Sequence, residues 1–136
     1  MRVCRSEAEM HAAPALAAEN CATPLASARL ALDMVTLPLV DERFQAWVTE
    51  QMRGCRTGEN RLAKYLQGRV LMFGHKTGTG FVDAQGQQTG VNDVAFVVPY
   101  GGSPLGIAVY VTDAAMSLAD AEEIIAQVAR LVVENL

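Results

Sequence analysis

Residues 92–99 and 105–112 carry large apolar side chains at every second position, and Tyr100-Gly101-Gly102-Ser103-Pro104 separates them. A side-chain period of two on either side of a glycine- and proline-containing turn is the pattern of an antiparallel hairpin. Val94, Phe96 and Val98 then share one face of the first strand, and Ile107, Val109 and Val111 one face of the second. A two-stranded hairpin is marginal in water until its apolar face is covered. A cover is legible just downstream. Ser117 with Asp120 three residues on resembles a capping box. Ala121, Ile124, Ile125, Val128, Leu131 and Val132 follow at helical spacing and predict an apolar stripe that lies on the sheet. Upstream, Val70-Leu71-Met72-Phe73 has strand character and is expected to lie antiparallel beside the hairpin.

The first half of the chain reads as helix. Thr23 can cap and Pro24 suits the first helical position, where its missing N–H costs nothing. This helix is expected to run to about Met34 and to bury Leu25, Ala28 and Leu32, with Pro38 ending the region. Asp41 caps a second helix, in which Phe44, Trp47, Val48 and Met52 recur at helical spacing and Gly54 fits the stop. Its aromatics are expected to face a core. A short helical turn is expected over Glu59–Tyr65. Residues 1–22 show no clean period and predict an irregular loop with helical turns, and the stretch from Gly78 to Gly90 predicts a mobile loop. Helix, helix, three strands, helix, with no repeat and no linker, is an α+β order: an antiparallel sheet covered by helices.

Composition bounds the function. With 136 residues, 51% hydrophobic and 19% charged, the chain holds about one domain's material and is not disordered. A net charge of −4 argues against a nucleic-acid partner, and no apolar run approaches a membrane span. Cys4, Cys21 and Cys55 match no metal spacing. They are expected to be buried free thiols, with a Cys4–Cys21 bridge as the alternative in an oxidising compartment. Arg2 and Arg5 precede an alanine-rich stretch, but Glu7, Glu9 and His11 interrupt it, so no secretory signal is expected there.

The chemistry is carried by His75-Lys76-Thr77-Gly78-Thr79-Gly80, placed at the end of a predicted strand. A Lys-Thr-Gly on an edge strand occurs in enzymes that attack β-lactams. The ammonium supplies fixed positive charge, the threonine hydroxyl can donate to a carboxylate, and the glycine lets a ligand approach the backbone. Thr79 can offer its backbone N–H to an oxyanion. Alone, three residues also occur by chance in surface turns.

Other segments agree with it. Arg5-Ser6-Glu7-Ala8-Glu9-Met10-His11 is followed by Pro14 and Thr23-Pro24; Thr57-Gly58-x-x-Arg61-Leu62 precedes the Lys-Thr-Gly strand; Asn92-Asp93 opens the next strand; and Glu123-Ile124-Ile125-Ala126-Gln127-Val128-Ala129 lies in the last helix. In this order and spacing the whole chain resembles the C-terminal half of class A serine β-lactamases, most of all the PER-like extended-spectrum branch. The resemblance implies the C-terminal part of the β-lactamase/transpeptidase-like fold, with residues 1–22 as the omega-loop region, 23–66 helical, and 67–136 a three-strand sheet plus helix. It implies catalytic roles for Glu7, as general base for the deacylating water, and for Lys76, as electrostatic support for acylation. It implies substrate-binding roles for His11, which would help hold that water, and for Thr77, Gly78 and Thr79 at the substrate carboxylate. Arg61 would stand nearby as the cation, or else be an exposed turn charge. Asn92 and Asp93 are expected to brace strand ends, and Glu9 and His75 to be solvated flanks. No metal and no cofactor are implied.

The chain departs from that family in three places. Ser6, Ser27, Ser103 and Ser117 have Glu9, Leu30, Gly106 and Asp120 three residues later, so no Ser-x-x-Lys nucleophile is present, and there is no Ser-Asp-Asn. Asn20 stands where the family commonly has an aspartate paired with Arg5, which leaves Glu19 to compensate. The stretch from Gly80 to Val91 is long and would reshape the site's rim. The expectation is a fragment that lacks the half carrying the serine and is inactive alone, exposing a sheet edge and part of the last helix. A β-lactam is the implied small-molecule partner, with the N-terminal half as a candidate protein partner and a monomeric, periplasmic or secreted parent. The alternatives are a non-catalytic remnant or binding decoy, and a penicillin-binding protein fragment.

Overall fold

A computed structural model describes residues 1–82, 84 and 86–136. Three strands form the sheet: β1 (Met72–Thr79), β2 (Val91–Val98) and β3 (Leu105–Val111), in the order β1-β2-β3 and antiparallel throughout. The register sets Thr77 opposite Asp93, and Ala95 opposite Ile107. β1 lies further along the chain than its apolar run implied. Val70 is buried before the strand begins, Leu71 is exposed, and the Lys-Thr-Gly lies inside the strand. The polar residues stay in the ladder because β2 supplies partners out to Thr79↔Val91.

Helices cover both faces. α5 (Leu118–Val133) packs Ala121, Ile125 and Ala129 onto Val91, Ala95, Val97 and Ile107. Its N-cap is Ser117, as expected, with the hydroxyl accepting from Asp120 N–H. α2 (Pro24–Thr36), capped by Thr23, covers the opposite face. On β3 the expected face, with Ile107, Val109 and Val111, does lie under α5, but on β2 the face under α5 differs from the one its alternation suggested. The residues under α5 are the set alternate to Val94, Phe96 and Val98, while Phe96 is buried against the other side. Burial on both faces removes the contrast that alternation relies on.

α2 sits close because β3 has a glycine beneath it. A Cβ at Gly106 would lie 1.9 Å from the carbonyl oxygen of Ala28. Gly106→Val should push α2 off the sheet and cost about 2–3 kcal/mol. A thermal melt reads this as a clearly lower midpoint; an unchanged midpoint would mean α2 is not seated there.

Several apolar residues expected inside lie outside. Leu25 is exposed, while Ala28 and Leu32 are half-buried. α3 (Glu42–Arg53) turns Gln45, Thr49 and Met52 inward, and leaves Phe44 67% and Trp47 63% exposed. Gln45 ties the helix to the preceding loop, donating to the carbonyls of Met34 and Leu37 and accepting from Leu39 N–H. On α5, Ile124 and Leu131 point away from the core. All three cysteines are free; Cys4 and Cys21 are exposed and Cys55 half-buried, against the expected burial. The short turn after α3 becomes α4 (Ala63–Leu66). Residues 1–22 hold α1 (Glu7–Ala12) and a 3-10 turn (Pro14–Glu19). The expected mobile loop falls partly on residues 83 and 85, which lie outside the described residues; of its flanks, Gly78 and Thr79 belong to β1, and Gln88 bridges Ala114. No helix among the described residues is long and apolar enough to cross a membrane.

Candidate active site

Alternation along β1 sorts the motif onto two sides. Lys76 lies on the α2 face, exposed, with Nζ donating to the Thr77 carbonyl at 2.6 Å. His75, Thr77 and Thr79 lie on the α5 face, and each has a side-chain partner. Thr77 Oγ1 meets Thr57 Oγ1 at 2.6 Å, and Thr79 Oγ1 accepts from Arg61 Nη2 at 2.7 Å. Accepting from the guanidinium leaves the Thr79 hydroxyl proton for a ligand. Gly78 is open: a Cβ there would touch nothing nearer than Asn92, at 3.9 Å. β1 is an edge strand of the sheet, so one side of its backbone is unpaired.

Arg61 is neither a free cation nor an exposed turn charge. It is 3% exposed. Nε donates to Glu122 Oε1 at 3.0 Å, and Nη1 donates to the carbonyls of Gly78 at 3.1 Å and Asn92 at 3.0 Å. With the bond to Thr79, the guanidinium joins the edge strand, its neighbour and α5. The turn that presents it needs a glycine at its head. Gly58 has φ +68°, and a Cβ there would lie 2.4 Å from Thr77 Cγ2. The positive charge therefore reaches the strand already paired with a carboxylate.

His75 is not a solvated flank. It is 2% exposed, stacked on Phe73, and its Nδ1 lies 3.0 and 3.1 Å from the two oxygens of Asp93. Asp93, fully buried, also accepts from Leu62 N–H at 3.1 Å. The signal for this pair was the aspartate itself. A carboxylate inside an apolar strand must find donors or it will not be tolerated there. Asn92 does contribute to the brace, through its carbonyl to Arg61.

The first 22 residues form a closed loop. Arg2 and Cys21 pair through both backbone N–H groups. Asn20 Oδ1 accepts from the N–H of Cys4 and Arg5, and its Nδ2 donates to the Arg5 carbonyl. Arg5 takes its ionic partner next door, with Nε 2.8 Å from Glu19 Oε2, as the sequence anticipated. Glu9 belongs to a capping box with Ser6 at the start of α1, and these hydrogen bonds hold its carboxyl below the usual glutamate range. The Glu19 carboxylate, and then that of Glu9, raise Arg5 above the ordinary arginine value. Glu7 and His11 stand one helical turn apart, Nε2 to Oε1 3.6 Å, and Glu7 is exposed. The His11 ring meets the edge of Phe81 with centroids 6.0 Å apart, which brings α1 beside the end of β1. Among the described residues, Glu7 and His11 make no hydrogen bond or ion pair to Lys76, Thr77 or Thr79; the His11–Phe81 ring contact joins the loop to the strand end.

Comparison with known proteins fits this arrangement. The model of the β-lactamase enzyme family matches residues 2–136. The chain belongs to that family. A β-lactamase from Phocaeicola vulgatus is 29% identical over 132 residues, 96% of this chain and 41% of the relative. The extended-spectrum β-lactamase PER-1 from Pseudomonas aeruginosa is 33% identical over 128 residues, 94% of this chain and 41% of the relative. The solved class A β-lactamase from Bacteroides cellulosilyticus superposes with a TM-score of 0.87 at 28% identity, covering 98% of this chain and 47% of that one. This β-lactamase-family chain thus has the class A fold over its own length, and spans less than half the length of these relatives.

Proposed function

We propose that this β-lactamase-family chain carries two working parts of a class A active site and does not complete the reaction alone. One part is the strand Lys76-Thr77-Gly78-Thr79, which receives the carboxylate of a β-lactam. The other is the loop bearing Glu7, which activates the water that releases the acyl group, with His11 helping to hold that water. The observation that carries the reading is Arg61. A buried guanidinium bonded to Gly78 and Thr79 is the charge and rigidity that an anion-binding edge strand needs.

The geometry supports these roles. Lys76 places an ammonium on one face of the strand, where it supports charge developing during acylation. Thr77 and Thr79 present hydroxyls from the other face, held by Thr57 and Arg61. Gly78 leaves the backbone open to the ligand. Glu7 is exposed on α1, free to accept a proton from water. The acyl-serine step needs a nucleophile, and none of the four serines has a lysine three residues on. The parent's reaction would take place in the periplasm or outside the cell, a reading supported by the likeness to β-lactamases.

Titrating the 15N-labelled chain with benzylpenicillin tests the reading. We expect weak, non-covalent binding, with shifts centred on the amides of Lys76, Thr77, Gly78 and Thr79, and their loss in Lys76→Ala. No shift, or shifts centred on the cleft between α2 and α3 near Met34, Gln45 and Thr49, would sink it.

A further inference from the structure

We propose that Asp93 and His75 act together as positioning residues for the strand and the arginine, a role that rests on reading Lys76–Thr79 and Arg61 as the carboxylate-binding side. Leu62 follows Arg61 in the chain, and His75 precedes Lys76. Asp93 accepts from Leu62 N–H at 3.1 Å and meets His75 Nδ1 at 3.0 Å. One carboxylate therefore pins the backbone next to the guanidinium and the side chain next to the ammonium. Its own chain neighbour, Asn92, gives its carbonyl to Arg61, and its cross-strand partner is Thr77. The turn, the edge strand and the central strand meet at this one group.

The pair is rigid for physical reasons. Asp93 is fully buried, so a carboxylate there that lost a donor would find no water to replace it. The His75 ring stacks on Phe73 with centroids 5.0 Å apart and planes inclined 29°, which fixes the direction in which Nδ1 points. Besides the bonds of Arg61 itself to Gly78 and Thr79, the turn is tied to β1 by Thr57 to Thr77, which joins neutral hydroxyls at an exposed position. The Asp93–His75 link, by contrast, is buried on both sides and capable of carrying charge.

A donor at the place of Nδ1 is thus required, and bulk alone does not suffice. His75→Asn keeps an N–H donor at about that place, while His75→Leu fills space and donates nothing. In the labelled chain, the Arg61 Nε–H and Thr79 amide signals report on the brace, and the benzylpenicillin titration reports on the site. His75→Asn should keep both. His75→Leu should move the Arg61 and Thr79 signals and weaken binding about tenfold, with the amides of Leu105 and Gly106 on the far strand unchanged. The wild-type chain offers a direct reading as well, because its two histidines differ. The buried His75 ring proton should exchange slowly with water, and that of exposed His11 fast. A His75 proton exchanging like that of His11 would overturn the proposal. So would His75→Leu behaving as wild type, or His75→Asn losing the Arg61 and Thr79 signals as completely as His75→Leu. If the wild type binds no benzylpenicillin, the site reading fails by itself, and the ligand-free Arg61 signal still decides whether the brace exists.

Discussion

The purified 136-residue chain is expected to leave a chromogenic cephalosporin unhydrolysed, at the rate of buffer alone. Removal of the nucleophile from a serine hydrolase typically costs on the order of 10⁶ in turnover, because the remaining groups act on an intermediate that no longer forms. Glu7, in the role proposed for it, is such a group. As general base it would serve the acyl-enzyme, and with no Ser-x-x-Lys in the chain there is no acyl-enzyme for it to serve. Glu7→Ala should therefore change nothing in this assay. Turnover above buffer that disappears in Glu7→Ala would show that another residue of this chain opens the ring, and would overturn the division of labour proposed here.

Arg61→Ala is expected to be the most damaging single substitution at the site. An ion pair broken from one side in a buried setting costs about 3–5 kcal/mol, since the remaining partner is stranded. Here the stranded groups are the Glu122 carboxylate, the Thr79 hydroxyl, and the carbonyls of Gly78 and Asn92. At a few degrees per kcal/mol for a chain of this size, the thermal midpoint should fall by about 10 °C or more. Arg61→Lys should lie between, because one ammonium cannot reproduce the planar fork. Adding Glu122→Gln to Arg61→Ala should recover part of the loss by removing the unpaired charge. A loss under about 1 kcal/mol, the cost of an exposed pair, would mean that Arg61 is not buried as described.

The elements most legible in the sequence were those with local causes. Tyr100–Pro104 turns the chain whatever surrounds it, and Ser117 caps α5 through a residue three positions away. The failures have non-local causes. A helical wheel finds the stripe of Phe44 and Trp47 but cannot say whether anything packs on it, and in α3 it is Gln45, Thr49 and Met52 that face inward. The stripe on α5 was placed well at Ala121 and Ile125, yet Ile124 and Leu131 lie beyond the width of the sheet's cover. At the site, the motif located Lys76, Thr77, Gly78 and Thr79, but not the state of Arg61. Its burial is set by Glu122, 61 residues away, and by the carbonyls of two strands. His75 could be read only after the register placed Asp93 across the ladder from its neighbours. The tie of Arg5 to Asn20 and Glu19 was anticipated through the family resemblance, since residues 1–22 have no period of their own to read.

The counter-charge of Arg61 comes from α5, and under the proposed function this would give the last helix a say in ligand choice. On the proposed reading, the strand's affinity for an anion is set by a guanidinium and a carboxylate held 3.0 Å apart. A neutral side chain at position 122 would leave the guanidinium's charge uncancelled beside Thr79. Selection for a more or less anionic ligand could thus act on a helix that the ligand never meets.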